Sequence, residues 1–163
     1  MLYSVKKLSL AASQAERSTK ALFKRLIKNP PRDLDEIVRY LHERVFEKTN
    51  CLQCANCCRG LGPRITDRDI ERLSKHLKIR PSAFTFNYLR IDEDGDYIFR
   101  EMPCPFLMDD NTCTIYEERP KACREYPHTD RKKFHQLFEL TLKNSFICPA
   151  VYQILEELKD HYK

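Results

Sequence analysis

Four cysteines fall within eight residues, Cys51-Leu52-Gln53-Cys54-Ala55-Asn56-Cys57-Cys58, and four more follow at Cys104, Cys113, Cys123 and Cys148. Thiolates bind soft metals or carry out redox chemistry, and in a reducing compartment they have few other uses. The total of eight cysteines suffices for two four-thiolate zinc sites or for two 4Fe–4S clusters. A single site would leave half of them as small buried hydrophobes or spare thiols, which suits the isolated Cys148 better than Cys51, Cys54 and Cys57.

The spacing sharpens this. A zinc knuckle needs one Cys-x2-Cys pair and a distant second pair. Cys51, Cys54 and Cys57 instead offer three thiolates at successive two-residue gaps, as a ferredoxin run begins, with a remote fourth cysteine closing the cubane. Proline follows Cys104 and Cys148 and stiffens the turn after a ligand without identifying the metal. Cys57-Cys58 is the unusual element. Adjacent side chains point apart, so Cys58 can reach a second centre, bridge two ions or stay free; a vicinal disulfide is the strained redox alternative. The reading is one or two iron–sulfur clusters in an electron-transfer, sensing or accessory role. The alternative is a structural zinc protein acting as an interaction module.

Composition removes other classes. With three glycines there is no glycine-rich nucleotide or phosphate loop, and no Ser-His-Asp set or histidine metal cluster stands out. No run of eighteen apolar residues is long enough to span a membrane, and the first ten residues do not read as a secretory signal; the expected location is the cytoplasm. Residues 1–50 hold 11 Lys/Arg against 6 Asp/Glu, while residues 51–163 balance. Bound thiolates would offset much of the formal +5, so the charge is poor evidence for a nucleic-acid partner. A basic patch for nucleic acid would also need interleaved aromatics, and residues 17–32 contain only Phe23.

Positioning these thiols falls to a mainly helical α+β chain: a small cysteine-rich metal-binding domain with short hairpins. Residues 9–28 read as a helix stopped by Asn29-Pro30-Pro31. Its basic side (Arg17, Lys20, Lys24, Arg25, Lys28) is a solvated face or the dock for a protein partner. A second helix, 32–48, carries the stripe Leu34, Ile37, Val38, Leu41 and Val45. Residues 1–50 thus form a helical hairpin packing on the core, and 51–163 the cysteine-cluster domain with its C-terminal helix. Thr66-Asp67-Arg68-Asp69 opens a third helix, with Thr66 as cap and an acid at the third position. Pro81 begins a fourth, ending near Tyr88. Asp94-Gly95 turns a hairpin between 88–91 and 97–99. Asp109-Asp110-Asn111 turns Cys113 back toward Cys104. Residues 117–126 are helical with a break at Arg119-Pro120, residues 133–147 fit strand or helix equally, and Pro149 starts a final helix.

These fragments together resemble the Cys-x2-Cys-x2-Cys-Cys cysteine-cluster family of zinc- or iron-chelating proteins. The matching pieces are Cys51 to Cys58, Ile65-Thr66 with Asp69-Ile70, Cys104-Pro105-Phe106-Leu107, Cys113-Thr114-Ile115-Tyr116, Arg119-Pro120 with Cys123-Arg124, Tyr126-Pro127, and Cys148. Ala55 departs from the pattern, where the family often has glycine. A related cluster is similar to part of the flagellin lysine methylases, but nothing here suggests methyl transfer. The resemblance implies metal binding by all eight cysteines. Around them, Arg119 and Arg124 either offset thiolate charge or pair with Glu117, Glu118 and Glu125. Tyr116 and Tyr126 read as core or shielding rings, His128 as surplus to eight thiolates, and Asp109 and Asp110 as turn residues.

Overall fold

The computed structural model describes residues 5–163, with side chains from Lys7 onward; residues 1–4, part of the segment read as lacking a secretory signal, lie outside the described residues. Along the chain run α1 (Val5–Lys28), α2 (Leu34–Phe46), α3 (Cys51–Cys54), α4 (Asn56–Gly60), α5 (Asp67–Leu77), α6 (Pro81–Tyr88), β1 (Leu89–Ile91), β2 (Tyr97–Phe99), α7 (Lys121–Glu125), α8 (Phe138–Ser145) and α9 (Pro149–His161), with 3-10 turns at Tyr116–Glu118 and Phe134–Leu137. Helix makes up 61% and the strands pair as one small antiparallel sheet, the mainly helical α+β class read from the sequence. No helix among the described residues is long and apolar enough to cross a membrane. Two compact units result: residues up to Asn50 together with those from Pro127, and Cys51–Tyr126.

In the helical unit, α1 ends where Pro30 and Pro31 deny the next turn its amides. Leu34, Val38, Leu41 and Val45 of α2 recur at helical spacing and bury against Ile154, Leu155 and Leu158 of α9, with Leu22, Phe23 and Leu26 of α1 joining the same core. Each such side chain contributes roughly 1.5–3 kcal/mol on burial. The C-terminal helix, assigned from the sequence to the domain of residues 51–163, therefore packs on α1 and α2. The physical reason is its stripe, Val151, Ile154, Leu155 and Leu158, which needs an equally apolar helical surface. Residues 133–147 resolve as a 3-10 turn followed by α8. Asp35 sets that turn: its carboxylate accepts the Lys133 amide at 2.7 Å and the Phe134 amide at 2.9 Å. Phe134 then points fully into the core, edge-on to Phe138.

In the cysteine unit the core is smaller: Ile65, Ile70, Leu73, Phe84, Leu89, Phe99, Phe106 and Ile115. Thr66 and Asp69 form the full capping box at the start of α5. The hairpin pairs Leu89 with Phe99, Arg90 with Ile98 and Ile91 with Tyr97, turning at Gly95, whose φ of 82° is one that glycine adopts without a Cβ clash. Ile65 bridges Tyr97 on the outer side. Phe106 meets Phe84, Tyr88 and Phe99 at ring-centroid distances of 6.5, 5.1 and 5.7 Å, and so anchors the segment that carries Cys104.

Candidate metal centre

The first limb is α3 and α4. One helical turn separates Cys51 from Cys54, closed by the Ala55 amide on the Cys51 carbonyl at 2.9 Å. Ala55 then adopts φ 49°, ψ 17°, the left-handed region, and a new turn begins at Asn56. This break presents Cys57 and Cys58 on a fresh helical turn; their sulfurs lie 4.0 Å apart as a thiol–thiol contact, and none of the eight cysteines is joined in a disulfide. Ala55 is buried, so two effects oppose. A left-handed residue with a Cβ costs about 1–2 kcal/mol, while the buried methyl returns about 0.8 kcal/mol. Ala55→Gly is therefore expected to be near neutral or slightly stabilising, about 0–1 kcal/mol by urea melting, with the loop intact. A loss of more than that would show that the methyl is a packing requirement.

The second limb is tied to the first by backbone: the Cys104 amide donates to the Cys58 carbonyl at 2.8 Å. From there Asp109-Asp110-Asn111 turns as expected. Met108 donates to Thr112 and Thr114 to Phe106, both at 2.9 Å, and Leu107 bridges Cys113. Asp110 serves the turn, accepting the Thr112 amide at 2.9 Å and its hydroxyl at 2.6 Å. Those bonds hold its carboxyl below the ordinary value.

The third limb is α7, which carries Cys123. Its first amide, Lys121 N–H, is capped from α5 by Asp69 Oδ1 at 3.0 Å. The same oxygen accepts Arg72 Nη2 at 2.7 Å, and Arg72 Nη2 reaches on to the Arg119 carbonyl at 2.9 Å. Arg72 Nε lies 3.1 Å from Glu118 Oε2, an ion-pair distance without hydrogen-bond alignment. One buried carboxylate thus fixes the entry to α7. Asp69 Oδ2 meanwhile accepts both the amide and the hydroxyl of Thr66. Burial raises the Asp69 pKa, but the bonds from Thr66, Arg72 and Lys121 outweigh it and leave the carboxyl below its ordinary value.

Electrostatics makes Cys58 the centre of this arrangement. Its charge acts on Cys51, Cys104, Cys113 and Cys123. Burial first, then repulsion from neighbouring thiolates, pushes Cys104 up to about 11 and Cys123 up to about 12, and raises Cys51 and Cys113. Cys58 goes the other way, to about 7: the Cys57 contact lowers it, burial opposes, and Arg119 and Arg59 lower it further. Arg119 also lowers Cys51, Cys113 and Cys123. It is held by its Nε donating to the Tyr116 carbonyl at 2.7 Å and by its guanidinium 3.6 Å over the Tyr116 ring.

Of the eight candidate ligands, Cys51, Cys54, Cys57, Cys58, Cys104, Cys113 and Cys123 belong to the cysteine unit. Cys148 belongs to the helical unit, where it precedes α9 and packs partly against that core. Among the described residues no three Cys, His, Asp or Glu side chains already close on a single ion. The donor set fits a soft metal by type: the cysteine unit carries seven thiols, the ligand class that selects zinc and iron–sulfur centres, and each would bind as the thiolate. Arg119 takes the charge-compensating role, and Arg124 instead donates to the Arg119 carbonyl at 2.5 Å. Tyr116, expected as a core or shielding ring, is 49% exposed and serves as the platform for Arg119. His128 and Tyr126 are half-buried. Sequence reading missed Arg59, whose charge reaches Cys58 and whose Nη2 bonds Asn111 Oδ1. It also missed Arg72, detectable only as an Asp-x2-Arg pair on one helix face.

A family model described as "CxxCxxCC: Putative zinc- or iron-chelating domain" matches residues 50–141. The matched span holds the seven cysteines of the cysteine unit and ends before Cys148. No solved structure matches the chain.

Proposed function

Because the chain belongs to the CxxCxxCC cysteine-cluster family, we propose that its thiols hold one or two iron–sulfur clusters in an electron-transfer, sensing or accessory role. The observation that supports this reading is the tie between the limbs: the Cys104 amide donates to the Cys58 carbonyl at 2.8 Å, the Cys57 and Cys58 sulfurs lie 4.0 Å apart, and Leu107 bridges Cys113. Cys51, Cys54 and Cys57 supply the ferredoxin-like triad. Cys58, Cys104, Cys113 and Cys123 supply further ligands, with Cys148 as the eighth candidate. Such a cluster supplies one-electron redox chemistry when bound. The chain's own contribution is to hold the thiols, to offset their negative charge with Arg119 and Arg59, and to leave Cys51 exposed as the edge nearest an electron donor or acceptor.

Structural zinc is the second reading, favoured by the modest core of the cysteine unit. A small unit with little apolar core gains folding stability from a metal crosslink. Anaerobic purification separates the two. Iron–sulfur predicts a brown protein with broad absorbance near ~400 nm that bleaches with dithionite. A colourless protein holding zinc stoichiometrically would overturn iron–sulfur and establish zinc. A metal-free protein with its cysteines paired as disulfides would overturn both.

A further inference from the structure

The basic side of α1 borders an apolar groove in the helical unit. Lys20, Phe23, Lys24 and Ile27 of α1 form one wall, and Phe138, Glu139 and Leu142 of α8 the other, around a volume of about 340 Å³. The floor is the stacked pair Phe23 and Phe138, with centroids 4.0 Å apart and planes 4° from parallel. Ile27 stands at the open end, 63% exposed. From Lys20 to Ile27 is two helical turns, roughly 10 Å.

Charge decides what fits. Glu139 on the α8 wall is matched by Lys143 at 2.8 Å, and Glu16 is matched by Lys20 at 2.6 Å. Lys24 has no matching acid among the described residues, and Arg17 and Lys28 continue the same stripe along α1. The rim is therefore net positive over an apolar floor. We infer that this groove docks an acidic amphipathic helix of a partner protein. Its apolar residues at i, i+3, i+4 and i+7 would cover Ile27 and Leu142 and close the trough over the buried Phe23–Phe138 floor, and flanking carboxylates would meet Lys24 and compete with Glu16 for Lys20. An apolar trough two turns long suits those anchors, and the lysines set orientation and association rate.

The test uses the full, metal-loaded protein and a fluorescein-labelled peptide of about four turns, with Leu at i, i+3, i+4 and i+7 and Glu on its other faces. Anisotropy should show saturable binding that weakens with salt, and a scrambled peptide of the same composition should bind about tenfold less tightly or worse. Lys20→Glu with Lys24→Glu, and separately Ile27→Ser, should each weaken binding by about tenfold, with metal content and melting unchanged. Three results would overturn the inference. One is equal binding of the scrambled peptide, or indifference to Ile27→Ser, which reduces the patch to nonspecific charge. Another is binding of anionic phospholipid vesicles in place of the peptide. The third is self-association of the protein, lost in Ile27→Ser, which assigns the groove to a second copy of this chain.

Discussion

Cys58→Ser is expected to lose stoichiometric metal and to lower the unfolding midpoint by about 6–12 °C, the shift that follows from losing about 3 kcal/mol in a chain of this size. The thiol of Cys58 is the one whose charge reaches those of Cys51, Cys104, Cys113 and Cys123. Its own carbonyl holds the Cys104 amide. Removing the thiol leaves that backbone bond in place, so the loss reads the metal crosslink between limbs distant in sequence, whose binding free energy is folding free energy. Cys113→Ser, on the second limb, should behave alike. Metal analysis and thermal melting on the same anaerobic samples check both. Full metal with unchanged melting in the two variants would make these cysteines ordinary packing residues.

Asp69→Asn is expected to cost about 1–3 kcal/mol, because it leaves buried donors without an acceptor. Asp69 is 1% exposed, and both oxygens accept: Oδ1 from Arg72 and the Lys121 amide, Oδ2 from the Thr66 amide and hydroxyl. Asparagine has one acceptor oxygen and one donor nitrogen. Whichever way its amide is turned, a donor faces donors at Thr66 or at Arg72 and Lys121. The entry to α7 loosens, and metal content should fall with stability because Cys123 rides on that helix.

The pH dependence has a definite sign. The folded Asp69 carboxyl lies below its ordinary value, against about 3.9 in an unfolded chain. The stability it contributes is fully present above the unfolded value and is lost as pH falls through the folded one. Urea midpoints for the native protein and Asp69→Asn should therefore converge as pH falls below about 4. Thiol protonation acts on both proteins and drops out of the difference. A gap that stays constant down to acid pH would show that the carboxylate charge is not what Asp69 contributes.

Local signals in the sequence carried the elements that local physics controls. Pro30-Pro31 removes helix amides, Thr66 with Asp69 satisfies them, and Asp94-Gly95 accepts the turn conformation whatever lies around it; each appears in the structure where those residues dictate. The stripe on α2 was legible because burial at helical period needs no knowledge of the partner. The partner itself was not legible. Residues 133–147 have apolar spacing compatible with strand or helix, and Asp35, about a hundred positions earlier in sequence, decides the matter by capping the turn at Lys133 and Phe134.

The candidate site divides the same way. Cysteine type and spacing alone determine that this chain presents soft-metal ligands, since thiolate chemistry belongs to the side chain and Cys-x2-Cys geometry to one helical turn. Tertiary structure alone decides that Cys58 is the shared neighbour, that Arg119 and not Arg124 offsets the thiolate charge, and that Asp69 holds the start of the Cys123 helix. The reason is that thiol pKa values and charge pairing depend on distances between segments that are far apart in the chain. Those distances are set only when Phe106, Phe84 and Phe99 pack and when Asp69, Thr66 and Arg72 close their hydrogen bonds.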